Sequence, residues 1–167
     1  MKDAIEKFVG DNDQFDNPAT PDLERKGYEN SNVVSYECEA DVSNLGLMLD
    51  PIIDRLRELN TDKKTVYQIN LALEELFANV ANYAYYPDKG MIHISFGIKE
   101  DTKELTVIIK DEGKPFNPLE SEEPDITAPL QERKIGGLGL FIVKNTMDSL
   151  EYVRESNSNV LTIKKKF

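Results

Sequence analysis

Leu71-Ala72-Leu73-Glu74-Glu75-Leu76-Phe77-Ala78-Asn79-Val80-Ala81-Asn82 is the segment around which this 167-residue chain organises itself. Val66, Ile69, Leu73, Leu76, Phe77, Val80 and Ala84 fall on one stripe at amphipathic-helix spacing. The spacing predicts a helix from Thr61 or Asp62 to about Tyr86, where Pro87 stops it. Beside the stripe, Glu75 and Asn79 sit one turn apart on a common face, which Asn82 extends. Glu74 is the competing carboxylate, but helical geometry turns it about 100° away. By itself, this polar strip fits either a solvated helix edge or a functional face beside a core.

Upstream, Val34, Tyr36, Cys38 and Ala40 alternate with Ser35, Glu37 and Glu39, which predicts a half-buried strand. Leu45, Met48, Leu49, Ile52, Leu56 and Leu59 then recur at helical spacing. Pro51 interrupts them, so either this helix kinks or Asp50 caps a second segment with Pro51 at its first position. Downstream, Ile92, Ile94, Phe96 and Ile98 alternate, as do Leu105, Val107 and Ile109, with Asp101-Thr102-Lys103 as the turn between two strands. A Pro- and Gly-rich linker over 112–138 reads as a lid or binding loop, because compact domains seldom keep so long an irregular segment without a use for it. A helix over 138–150 and strands over 151–155 and 159–166, joined by Ser156-Asn157-Ser158, complete the order. That order predicts an α+β two-layer sandwich: a mixed, mostly antiparallel sheet with helices on one face. Within residues 1–32, Ala4, Ile5, Phe8 and Val9 fit a short amphipathic helix ended by Gly10, whereas 11–32 are polar and carry Pro18, Pro21 and Gly27. The whole segment reads as an extension or arm outside a domain spanning 33–167.

The charge narrows the function. With 31 acidic against 20 basic residues the net charge is −11, and the pI is near 4.6. A long polyanion would be repelled, so direct nucleic-acid binding is not expected, whereas a small phosphate group needs only local donors. One cysteine and one histidine exclude an internal disulfide and nearly exclude a zinc site. Cys38 reads as a core thiol and His93 as a structural residue on the polar side of its strand. The charged amino terminus lacks the apolar stretch of a signal peptide, and no run approaches the roughly 20 apolar residues of a membrane span. The expected location is cytoplasmic.

Two further segments carry chemistry. Asp111 ends the strand over 105–110, and Glu112-Gly113-Lys114-Pro115-Phe116 turns the chain at once. A carboxylate there accepts from an exocyclic amine, and a neighbouring glycine admits a flat ring. Gly136-Gly137-Leu138-Gly139-Leu140 opens a helix, where bare backbone N–H groups and the helix dipole favour an anion. Arg133, three residues before it, adds a charge-assisted contact to a terminal phosphate. Neither a Walker A pattern nor G-x-G-x-x-G is present.

Taken in order, Glu75-Leu76-Phe77-Ala78-Asn79, Asp111-Glu112-Gly113 and Gly136-Gly137-Leu138-Gly139-Leu140 resemble the N box and two glycine boxes of the GHKL ATPases. The phrases around Asp111–Phe116 and Glu132–Leu140, with Met147-Asp148, are similar to bacterial anti-sigma factors of the serine-protein-kinase type. The resemblance covers about 34–167 and implies the Bergerat ATP-binding fold, with ATP and Mg²⁺ as cofactors and an ATP lid over about 114–136. It implies Glu75 as general base, Asn79 as Mg²⁺ ligand, Asp111 as acceptor for the adenine amino group, and Gly113 as the residue that makes room for the ring. It also implies phosphate contacts from Arg133, Gly136, Gly137 and Gly139, support from Asn82, and contacts to the nucleotide from Phe116, Leu138 and Leu140. The implied function is a serine-protein kinase that phosphorylates a small anti-anti-sigma protein and sequesters a sigma factor, with a homodimer as a further possibility. The alternative is an ATP-dependent partner-binding module without useful kinase activity. In three places the chain departs from the family: Pro115 stands where many members keep a second glycine, Ser158-Asn159-Val160 where relatives often have Gly-Thr, and residues 1–32 have no counterpart. Tyr83, Tyr85 and Tyr86 read as helix-end packing, with a partner surface as the alternative.

Overall fold

A computed structural model describes residues 33–120 and 138–167. Chain order is β1 (Val34–Glu39), α1 (Leu45–Glu58), α2 (Lys63–Asn79), β2 (Met91–Lys99), β3 (Glu104–Asp111), α3 (Leu138–Thr146), β4 (Ser149–Glu155) and β5 (Ser158–Lys166). The strands form one five-stranded sheet in the order β1-β2-β3-β5-β4. All four pairings among the described residues are antiparallel, so the sheet has no parallel component there. Short reversals account for two of them. At the β4–β5 turn Ser156 and Asn157 both have positive φ, 45° and 74°, the twist a two-residue hairpin turn needs.

One apolar core lies between the helices and one face of the sheet. Met48, Ile52 and Leu56 of α1 and Ile69, Leu73 and Phe77 of α2 are fully buried against Ile92, Ile94, Leu105, Val107, Ile109 and Ile163. Each such side chain contributes roughly 1.5–3 kcal/mol relative to exposure. Alternate positions such as Glu37, His93 and Glu151 point to the other face and are exposed. Tyr36 ties β1 to α1, its hydroxyl donating to the Met48 carbonyl at 2.5 Å, and its ring meets Phe96 edge-on. Cys38 is buried, as its alternation predicts, and burial raises its thiol pKa. His93 Nδ1 lies 2.8 Å from Glu37 on the outer face, a structural pairing. No helix among the described residues is long and apolar enough to cross a membrane.

One open alternative is settled and two expectations are corrected. α1 is a single helix with Pro51 inside it. The buried flanks Met48, Leu49, Ile52 and Ile53 hold it on the core through the missing hydrogen bond. Regular α-helical bonding in α2 ends at Asn79, after which the backbone makes a wider π turn over Val80–Ala84. The helix expected over 138–150 stops at Thr146, because Leu150 is recruited into the sheet opposite Ile163.

Candidate functional site

The C-terminal ends of α2 and β3, the first turn of α3 and the start of β5 meet at one end of the sheet. Between them lies a cavity of about 310 Å³. Leu76, Ile109, Phe116 and Leu140 give it apolar walls, while Asn79, Asp111 and Asn159 supply polar groups. Apolar walls with a few convergent polar atoms are the pattern of a small-molecule site.

Asp111 is its most buried charge, at 5% exposure. Its Oδ1 accepts from the Gly113 N–H at 2.9 Å and from Asn159 Nδ2 at 2.8 Å, while Oδ2 accepts from no described residue. Burial pushes the carboxyl pKa up, opposed by those two hydrogen bonds and by the Arg154 charge. The result is a preformed acceptor on the cavity, suited to an N–H donor.

Asn159 reaches Asp111 because β5 pairs with β3 in a register that sets the two residues directly opposite. Its Nδ2 also donates to the Lys114 carbonyl at 3.0 Å, and its Oδ1 accepts from Tyr152 Oη and Arg154 Nη1, each at 2.8 Å. In the sequence this residue is visible only as a departure from a Gly-Thr pattern. The sole signal that could have found it was strand register, counted back from the alternation in β5.

Gly113 lies against the end of the π turn: a Cβ there would come within 2.5 Å of the Ala84 carbonyl oxygen. The close approach that demands glycine is thus to the chain itself, and the Lys114 N–H bonds the same carbonyl at 2.8 Å. Gly139 meets α2 in a similar way, because a Cβ on it would collide with the Glu75 carboxylate. Glu75 therefore sits at the first turn of α3, half-buried, while Glu74 is exposed. Asn79, one turn on, lines the cavity.

The remaining sequence expectations divide. Phe116 lines the cavity although 52% exposed, and Leu140 is buried in its wall. Leu138 is exposed and outside the lining. Asn82 is also exposed and outside the lining, its Nδ2 donating to the Ala78 carbonyl at 2.8 Å. The π turn accounts for this, since its wider step rotates Asn82 off the face that carries Asn79. Tyr85 packs as expected of a helix end, donating to the Met91 carbonyl and accepting from the Glu112 N–H. Tyr83 and Tyr86 do not, being 69% and 70% exposed. Arg133, Gly136 and Gly137, and most of the expected lid, lie outside the described residues.

Comparison with known proteins gives this chain a family. The serine-protein kinase RsbW of Bacillus cereus (strain AH187) is 31% identical over 101 residues, covering 59% of this chain and 63% of that protein. The RsbW of Bacillus mycoides (strain KBAB4) is 32% identical over 100 residues, or 58% and 61% of the two chains. The chain thus spans less than two thirds of the length of these relatives. A crystal structure of the RsbU and RsbW domains of a Mycobacterium tuberculosis protein superimposes with a TM-score of 0.56 over 81% of this chain and 32% of the other. At 14% identity this likeness concerns the fold alone. The profile of the histidine kinase-like ATPase domain matches residues 38–165, and the chain belongs to that family, the GHKL ATPases.

Proposed function

We propose that the protein is a Mg-ATP-dependent serine kinase of the anti-sigma type, which phosphorylates a small anti-anti-sigma protein and sequesters a sigma factor. The observation that carries this reading is the placement of two carboxylates with different surroundings. Asp111 is a buried acceptor on the cavity, and Glu75 stands one helical turn from Asn79 at the first turn of α3. The first suits recognition of a base and the second suits proton transfer at the phosphate end.

The donor set fits the cofactors. Among the described residues no three His, Cys, Asp or Glu side chains gather into a metal cage. A hard cation such as Mg²⁺ needs only an oxygen or two from the protein, and the Asn79 side-chain carbonyl would supply one. Bound Mg-ATP would supply an electrophilic phosphoryl group with its charge partly neutralised. Asp111 Oδ2 would accept from the adenine amino group, and Leu76, Ile109 and Leu140 would exclude water from the ring. Gly136, Gly137 and Gly139 would offer backbone N–H groups and close approach at the start of α3, and Arg133 would add positive charge. Glu75 would take the proton from the attacking serine hydroxyl.

Incubation with γ-labelled Mg-ATP and a small anti-anti-sigma protein should yield phosphoserine on the latter. Glu75→Gln should bind ATP within about twofold of the parent, yet lose transfer by roughly 10²–10⁴-fold. Equal transfer by that variant would remove Glu75 as the base. Sigma-factor binding without any phosphoserine would favour a sequestering module instead.

A further inference from the structure

The side chains behind Asp111 form a chain of hydrogen bonds whose direction is fixed by chemistry. An Arg guanidinium only donates, so the Asn159 atom facing Arg154 Nη1 at 2.8 Å must be the carbonyl oxygen. The Tyr152 hydroxyl then donates to the same oxygen. With that orientation set, the amide nitrogen must face Asp111 Oδ1 and the Lys114 carbonyl, both acceptors. Arg154 is itself held by the Gly113 carbonyl at 3.0 Å and Asn157 Oδ1 at 3.0 Å. Together with the Gly113 N–H, the Asn159 amide fills Oδ1 of Asp111 with donors and stabilises the carboxylate as an acceptor.

We infer that Arg154 and Asn159 are positioning residues that set which purine the cavity accepts: they hold Asp111 as an acceptor, so that it takes a 6-amino purine and turns away a 6-oxo purine. The inference rests on the nucleotide reading above and assigns its base selectivity to two residues that do not themselves carry the recognition atom. The physical reason is an alternative state. Burial already favours the protonated carboxyl, and a protonated Asp111 would donate to a 6-carbonyl. Removing Asn159 or Arg154 therefore shifts the site toward a group that tolerates both bases.

Calorimetric titration of the full chain with Mg-ATP and with Mg-inosine triphosphate tests this through the ratio of the two Kd values. The unmodified chain should prefer ATP by about a hundredfold or more. Asn159→Leu, alike in branched shape but larger and without donors, should cut that ratio by about tenfold. Asn159→Thr, whose hydroxyl can still donate to Asp111, should retain most of it. Arg154→Met, on the edge strand β4, should lower the ratio by about threefold or more, and it decides the matter should Asn159→Leu fail to give a folded circular-dichroism spectrum. A merely structural role would weaken both nucleotides by the same factor. An unchanged ratio in variants that still bind ATP would overturn the inference and leave the nucleotide reading standing. Absence of ATP binding by the unmodified chain would overturn that reading, and this inference with it.

Discussion

Asp111 is where the fold and the proposed site make opposite demands. Water would solvate a carboxylate better than this cavity does, and the raised pKa records the difference. Because the folded-state value lies above the unfolded one, the native state holds the extra proton between them. The group's contribution to stability is thus greatest below the unfolded-state value, falls as pH rises through the folded-state value, and stays unfavourable at neutral pH. Asp111→Asn keeps an oxygen to accept from Gly113 and Asn159 but removes the buried charge. At pH 7 it should be at least as stable as the parent in thermal melts, with the gap closing below about pH 4. Its nucleotide affinity should drop by roughly a hundredfold, because an amide N–H₂ would then face the adenine amino group. A variant much less stable at pH 7 would show that Asn159 and Arg154 outweigh the cost of burial. Asp111 was legible in the sequence, since a carboxylate at a strand end before Glu112-Gly113 is a local pattern. Asn159 was not, because its meaning comes from facing Asp111 across β3 and β5, 48 positions apart.

At the scale of elements, periodicity located the five strands and three α-helices named above, and tertiary contacts decided where they stop. α2 shows the limit. Its apolar stripe runs on past Asn79, but the chain must turn to bring Tyr83 and Ala84 onto the cavity and Ala84 against Gly113, and it does so by widening into a π turn. No spacing in the sequence encodes that change of step. The end of α3 was misread for a related reason, since an apolar Leu150 satisfies a helix or a strand equally well until Ile163 is known to be its partner. α1 offers a direct measurement of tertiary override. Pro51 lies within an otherwise regular helix and is half-buried, and its neighbours Ile52 and Ile53 are in the core. Pro51→Ala restores an N–H donor without a large change in the packed surface. It should stabilise the protein by about 1–3 kcal/mol in urea denaturation. No gain would mean that the proline ring's own packing offsets the missing hydrogen bond.

At the scale of the whole molecule, the strand order is what makes a site. Inserting β5 between β3 and β4 places Asp111 and Asn159 on two adjacent inner strands at the same end of the sheet. α2 and α3 then bring Asn79, Glu75 and Gly139 over that end. Sequence motifs announced the parts, but this insertion could not be read from them, because a β4–β5 hairpin fits a sheet with either strand inward. The net charge of −11 acts at the same scale. An acidic surface opposes a free polyphosphate, so in the proposed function anion binding would be won locally, by backbone N–H groups and a cation that lowers the ligand's own charge. Mg-ATP at about 100 times its Kd should then stabilise the fold by about 2.7 kcal/mol. For a chain of this size that corresponds to a rise in Tm of roughly 5–10 °C in differential scanning fluorimetry. Chelating Mg²⁺ should shrink the rise more at low ionic strength than at high, because only the bare polyphosphate meets the full repulsion of the acidic surface. Asp111→Asn should show almost no rise in either condition, which separates a lost base contact from a screened charge. An equal rise with and without Mg²⁺ at low salt would mean that the protein's own groups neutralise the phosphates, and that Asn79 holds no cation.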